Sequence, residues 1–309
     1  MNNKSNILLL GHRGFVGRNL YSQLIEKKLT IHTTRINLLN QAEVKELFNK
    51  IKPDYVFMCA AKVGGIKANM NNNYSFLYEN LQIQNNIIQS AIENKVKKVL
   101  FLGSACIYPT NYEQPLREEY LMAAPLEETN EGYALAKIAG LKLCEFANRQ
   151  FKTKFISLMP CGIYGIGDNF ADDNSHVIPA LIRKIYYAKM HNKKHVEIWG
   201  SGDVKREFMY VSDLINCMIW AIDNIKINTF VNVGTGQETS IYQLALMIAN
   251  ILKYKGRFIF DKSKPDGMRR RLLDITRINK LGWKAKITLT DGLVQTIKYY
   301  KVLYDQISK

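Results

Sequence analysis

Glycines 11, 14 and 17 stand in the stretch NILLLGHRGFVGRNL, between an apolar run and an amphipathic one. They constrain the fold more than any other feature, because the backbone must turn there from strand to helix within a few residues. Glycine allows the tight turn at the first position and close approach of a phosphate at the second. At the third it allows contact between helix and strand. A strand, a glycine turn and a helix in that order predict a βαβ unit on a parallel sheet. They also predict a helix N-terminus whose free N–H groups attract an anion.

The same rhythm continues to Pro160. TIHTTR reads as a second strand, and NQAEVKELFNKI as a helix with Asn40 at its N-cap and Pro53 beyond its end. DYVFMCA and KVLFLGS are near-continuous apolar strands, as expected where helices cover both faces of a sheet. YSFLYENLQIQNNIIQSAIENK and NEGYALAKIAGLKLCEFANRQF read as long helices, and KFISLMP as a further strand. The expected fold class is α/β, a doubly wound, Rossmann-like parallel sheet with a smaller mixed α/β substrate lobe. The pattern loosens after Pro160. A polar loop, DNFADDNSH, precedes the helix VIPALIRKIYYAK. HVEIWGSGDVKREFMYVSDLINCMIWAID gives strand, turn, strand and helix, TFVNVGTG and RFIFD give later strands, and LTDGLVQTIKYYKVLY gives a last helix. The expected division assigns residues 1–164 and 204–228 to a cofactor domain, and 165–203 and 229–309 to the substrate lobe.

With 43 basic and 27 acidic residues, the chain carries a net charge of +16. Its lysines and arginines are dispersed singly or in pairs, apart from Arg269–Arg271 in MRRRLLD. That pattern suits an anionic small molecule better than a nucleic acid. The five cysteines are scattered without a CxxC, and the five histidines have no metal-binding spacing, so no disulfide framework or metal site is expected. The N-terminus is too short for a signal-peptide core, and no apolar run reaches the roughly 18–20 residues of a membrane span. The expectation is a cytoplasmic protein without membrane partners.

The segment after the second strand, TTRINLLN, lacks the carboxylate that binds an NAD ribose and carries Arg35 instead. Arg13 lies within the glycine loop. Two guanidiniums suit a 2′-phosphate, so NADP(H) is the expected cofactor; two ordinary surface arginines are the alternative. YALAK places Tyr133 and Lys137 one helical turn apart, and Ser104 ends the preceding strand, where such sheets present their ligand crevice. These three residues suit ketone reduction. A phenol supplies the proton for the developing alkoxide, an ammonium lowers the phenol's pKa, and a serine polarises the carbonyl. Cys106, two residues past Ser104, is on these grounds either a buried small hydrophobe or a reactive thiol.

With these pieces the chain resembles the extended short-chain dehydrogenases/reductases, and among them the GDP-L-fucose synthase group (GDP-4-keto-6-deoxymannose 3,5-epimerase/4-reductases). The shared motifs are GHRGFVG, AAKVGGI, GSACIYP, TNEGYALAKIAGLKLCE, DNFADDNSHVIPALIRK, WGSGDVKREFMYVSDL, VNVGTG and KPDG…LLD, which span nearly the whole length. The resemblance implies NADPH and a GDP-linked 4-keto sugar, in nucleotide-sugar biosynthesis for surface glycans. Tyr133, Lys137 and Ser104 would reduce the ketone. Cys106 and His176 would exchange protons at C3 and C5, which the 4-keto group acidifies. Around the cofactor the resemblance puts Gly11, Arg13, Gly14, Phe15, Val16 and Gly17, then Arg35, Ala60 and Ala61. It adds Tyr133, Lys137, Pro160 and His176. Lys184, Trp199, Arg206 and Arg270 would hold the substrate nucleotide, Trp199 having a simple core position as its alternative. A homodimer through the two long helices is a further implication.

The match departs from the group where Cys161-Gly162 replaces Thr-Asn, Ile166 replaces proline and Ala105 replaces serine. The loss of an asparagine side chain at 162 is expected to open space, which admits a bulkier sugar such as a heptose. It also admits a C4-reductase whose epimerisation is done by a separate enzyme. An NAD-recycling 4,6-dehydratase or 4-epimerase is a third possibility, though Ala105-Cys106 replaces the acidic pair usual in dehydratases. The net charge leaves a non-catalytic NADP-sensing or RNA-associated protein as the reading from another class.

Overall fold

The computed structural model describes residues 1–2, 4–171, 175–264 and 266–307. Part of the expected polar loop DNFADDNSH therefore lies outside the described residues. The first half of the chain alternates strand and helix: β1 (Asn6–Leu10), α1 (Phe15–Glu26), β2 (Thr30–Thr33), α2 (Gln41–Ile51), β3 (Tyr55–Met58), α3 (Ile66–Glu93), β4 (Lys98–Leu102), α4 (Glu131–Phe151) and β5 (Ile156–Pro160). Then come β6 (Gly162–Tyr164), α5 (Val177–Met190), β7 (His195–Trp199), β8 (Lys205–Tyr210), α6 (Val211–Asn224), β9 (Val231–Val233) and β10 (Glu238–Ser240). The chain ends with α7 (Ile241–Leu252), β11 (Arg257–Asp261), β12 (Arg270–Arg271), α8 (Thr276–Lys280) and α9 (Leu289–Ile307).

Six strands form one parallel sheet in the order β2-β1-β3-β4-β5-β9. The continuous apolar runs foretell this burial, since Ile7 to Leu10, Val99 to Phe101 and Leu158 are fully buried. Helices α1 and α6 pack as one layer, and α2, α3 and α4 as the other. Asn40 caps α2 as expected, accepting from the amides of Ala42 and Glu43. The chain leaves β1 for β2 on one side and returns to β3 on the other. The topological switch point, where such sheets bind ligands, thus lies beyond Leu10 and Met58, which are paired.

A second apolar core joins α5, α7 and α9 to β7, with Leu181, Ile185, Ile198, Leu244, Ile248 and Leu293 buried in it. β7 and β11 make a parallel pair, and β8 is the centre of a small mixed sheet with β6, β10 and β12. The interleaving is finer than the division expected from sequence. Residues 229–309 were expected in the smaller lobe, yet β9 completes the main sheet, and Leu273, Ile278 and Trp283 pack in the main core. Physically, β5 would otherwise be an open edge, and the fully buried Val231 and Val233 cover it. The helix expected from Tyr74 starts instead at Ile66 and bends at Asn72, whose φ of −140° and ψ of 29° are non-helical.

Candidate active site

The glycine loop is built for close approach. Gly11 has a φ of +86°, and a β-carbon there would lie 2.5 Å from the amide nitrogen of Ala60. A β-carbon on Gly17 would lie 2.1 Å from the carbonyl oxygen of Gly11, so the loop folds directly onto the first turn of α1. Gly14 donates its N–H to that same oxygen at 3.0 Å and forms an N-cap without any side-chain cap. The amides at Phe15 and Val16 therefore face the crevice mouth as helix N-terminal donors. Ala60 and Ala61 border the loop from the end of β3, and Pro160 ends β5. This donor set fits a dinucleotide pyrophosphate. Arg13 and Arg35 are both exposed beside it. His12 feels both: its pKa is lowered chiefly by burial, then by the charges of Arg13 and Arg35. Both guanidiniums therefore lie within electrostatic range of His12.

Across the sheet, β4 ends at Leu102 and delivers Ser104, while Tyr133 and Lys137 project from the first turns of α4. Ser104 lies beside the Tyr133 phenol. The Lys137 ammonium donates to the Leu102 carbonyl at 2.8 Å and lies 5.7 Å from the centroid of the Tyr133 ring. Burial lowers Lys137 to about 8, and the neighbouring Cys59 thiol partly opposes that fall. Burial also raises the Tyr133 phenol, as does the nearby Cys106, against a smaller opposite effect of Ser104. The expected lowering of the phenol by the lysine is therefore not what the structure gives. Tyr133 is held as a neutral acid, the form that a reduction consumes.

Cys106 is half-buried beside this group. The strand alternation expected to align it with Ser104 does not operate, because residues 105–107 form a short 3₁₀ turn. Ser104 caps that turn by accepting from the Cys106 amide at 3.2 Å, and the turn brings the thiol toward Tyr133. Arg271 donates from Nη1 to the thiol at 3.5 Å and from Nη2 to Glu127 at 2.9 Å. His176 is the N-cap of α5, and Ser175 before it approaches Gly65 at the start of α3. His176 is exposed, and partial desolvation lowers its pKa.

At the far end, Trp199 is 55% exposed, which excludes its core alternative. Lys184 lies 5.4 Å and Lys264 5.7 Å from its ring centroid. Lys184 also donates to the Glu197 carbonyl at 3.1 Å. Arg206 is lowered to about 10, first by burial and then by Arg271, its partner across the β8–β12 ladder. Arg270 turns the other way and binds Glu238 at 2.6 Å. Of the arginine run, it is Arg271 that the fold brings to Cys106 and Arg206.

Arg271, Glu127, Lys264 and Glu207 were not anticipated from sequence. Glu207, 2% exposed, accepts from the amides of Thr235, Gly236 and Leu273 at 2.6, 2.7 and 2.9 Å. It ties the VGTG turn to the segment that follows Arg271, and its only sequence signal is a lone carboxylate between two basic and three apolar residues of one strand. Gly162 is exposed at the start of β6. A β-carbon there would stand 3.0 Å from the Glu207 carbonyl oxygen and 3.2 Å from the Phe208 ring, so the glycine lets β6 lie close on β8.

A family model described as "NAD dependent epimerase/dehydratase family" matches residues 7–234. The chain is 44% identical over 310 residues to the GDP-L-fucose synthase of Escherichia coli (strain K12), covering 96% of this chain and 97% of that protein. Among solved structures, a GDP-6-OMe-4-keto-L-xylo-heptose reductase from C. jejuni aligns with a TM-score of 0.93 at 37% identity, over 98% of this chain and 99% of that one. The GDP-mannoheptose C4 reductase from Campylobacter jejuni, solved with NADP bound, aligns with a TM-score of 0.90 at 37% identity, over 97% and 99%.

Proposed function

The chain belongs to the NAD dependent epimerase/dehydratase family, and from that premise we propose that Tyr133, Ser104 and Lys137 carry out its chemistry, the reduction of a GDP-linked 4-keto sugar. It is an NADPH-dependent sugar-nucleotide oxidoreductase of the GDP-L-fucose synthase type. The observation that carries the assignment of roles is the convergence of a buried lysine, a neutral phenol and a serine at the end of β4, two strands from the glycine loop.

Bound NADPH supplies the hydride. Tyr133 gives its proton to the oxygen of the carbonyl being reduced, and Ser104 holds that oxygen by a hydrogen bond as charge develops. Lys137 binds the cofactor ribose and stays charged up to about pH 8. At the phosphate end, Gly11, Gly14 and Gly17 with the amides of Phe15 and Val16 receive the pyrophosphate. Arg13 and Arg35 receive the 2′-phosphate. Lys184, Trp199 and Arg206 take the GDP, with Arg270 at the rim. Cys106 and His176 transfer protons at C3 and C5, which makes the enzyme an epimerase as well as a reductase. A C4-reductase acting on a GDP-4-keto-heptose is the second reading, favoured by the likeness to the two Campylobacter reductases.

The test measures NADPH oxidation with GDP-4-keto-6-deoxymannose and with a GDP-4-keto-heptose, and follows deuterium from solvent into the product. Turnover of the first with label at C3 and C5 supports the bifunctional reading. Turnover without label leaves a plain 4-reductase. Tightly bound NAD with no net NADPH oxidation with either sugar would overturn both.

The enzyme is further proposed to be a cytoplasmic homodimer. Phe146 and Phe151 stand 53% and 52% exposed along a groove between α3 and α4, a face that a second copy would cover. No described helix is long and apolar enough to cross a membrane. Light scattering of the purified protein measures the mass, and a monomer at micromolar concentration would refute the dimer.

A further inference from the structure

Tyr133 sits in the first turn of α4, and the start of that helix lacks its own cap. Asn130 occupies the N-cap position but makes no side-chain cap, because its amide is turned to Glu127 at 3.1 Å. Its Oδ1 is buried without a partner among the described residues. The next helical residues are Glu131 and Gly132, and glycine is among the weakest helix formers. A helix that must hold a proton donor in register therefore begins with two unfavourable choices.

A second element makes up for both. Asn73 of α3 accepts from the Gly132 amide through Oδ1 at 3.1 Å, which is the bond a cap residue would make from within α4. Its Nδ2 lies 3.5 Å from the carbonyl oxygen of Glu128, at the limit of a hydrogen bond. The backbone oxygen of Asn73 lies so close that a β-carbon on Gly132 would come within 2.3 Å of it. The bend in α3 enables this approach. Asn72 leaves helical geometry, and its side-chain Nδ2 donates to the Ala68 carbonyl at 3.0 Å. One turn later, Phe76 meets the Tyr133 ring edge-on at 6.5 Å.

We propose that Asn73 is a positioning residue for Tyr133: as a cap supplied in trans by α3, it fixes the first turn of α4 and thereby the angle at which the phenol meets the substrate carbonyl. This rests on the assignment of Tyr133 as the proton donor. The pair works only as a pair. Gly132 has room for no side chain because Asn73 is there, and Asn73 can cap only because residue 132 has a free N–H.

The experiment compares Asn73→Ala and Asn73→Asp with the unaltered enzyme. It measures the single-turnover rate of hydride transfer, the Kd for NADPH and the melting temperature. A loosened phenol should slow Asn73→Ala about tenfold while NADPH affinity holds within about twofold. Asp keeps the accepting oxygen and should rescue most of the rate. A lower melting temperature with an unchanged rate would reduce Asn73 to a structural cap and overturn the proposal. So would equal losses of rate and of NADPH affinity, or no rescue by Asp. Tyr133→Phe separates the two levels. If it retains full activity, the assignment of Tyr133 fails, whereas a defect in Tyr133→Phe beside a normal Asn73→Ala rejects only the positioning role.

Discussion

Arg271 donates a hydrogen bond to the thiol of Cys106 although the two residues are 165 positions apart in sequence. The sulfur therefore has a cation in contact, anchored from behind by Glu127. A guanidinium so placed can lend the sulfur a charge-assisted hydrogen bond while charge collects on it during proton transfer or alkylation. Arg271→Gln should slow alkylation of Cys106 by iodoacetamide about tenfold at neutral pH, and Arg271→Lys should slow it less. Peptide mass spectrometry reads the rate at this thiol separately from the other four. Arg270→Gln, whose side chain contacts Glu238 instead, serves as the comparison.

Arg13 and Arg35 lie within electrostatic range of His12. Removing one charge-assisted partner of a phosphate should cost roughly tenfold or more in affinity. Arg35→Ala should therefore weaken NADPH binding by that factor and leave NADH binding unchanged. Fluorescence titration with both nucleotides measures this, and an unaltered preference would remove Arg35 from the site.

Lys137 sets opposite trends for activity and stability. Its pKa in the folded protein is about 8, against an ordinary 10.5. Between those values the unfolded chain binds more protons, so this residue's contribution to stability rises with pH through that window. The rate falls over the same range, because the ammonium that holds the cofactor ribose is lost. The kcat profile should show an alkaline limb near pH 8 while the melting temperature does not follow it downward. Tyr133→Phe should lower kcat about 10²- to 10⁴-fold throughout, with NADPH binding retained.

Gly17→Ala tests the cradle. The added carbon would stand 2.1 Å from the Gly11 carbonyl, so the loop must move away from α1. Overpacking of this kind costs about 1–3 kcal/mol. The expected outcome is a lower melting temperature together with NADPH binding weakened beyond detection in titration. Normal binding would show that the loop can relax without loss.

The parts of this molecule that sequence made legible are those encoded within a few residues. The glycine loop, the Tyr133–Lys137 spacing, the Asn40 cap and the apolar strands each carry their whole signal locally. The contacts that depend on distant strands were not legible. β12 is only two residues long, and its pairing with β8 decides that Arg271 rather than Arg270 meets Cys106. The bend at Asn72 left no apolar periodicity to read, so the start of α3 and the role of Asn73 were both hidden. For Cys106 the expected neighbourhood was right and its cause was wrong: a capped 3₁₀ turn replaced strand alternation. Burial, which only the folded chain has, reversed the expected direction for the Tyr133 phenol.

Glu207 joins three chain segments at one carboxylate, and β9 returns to the main sheet after β7 and β8 have left it. The polypeptide thus crosses the cleft repeatedly, with no lone connector around which one half could swing. Denaturation should therefore take both cores down in a single cooperative step.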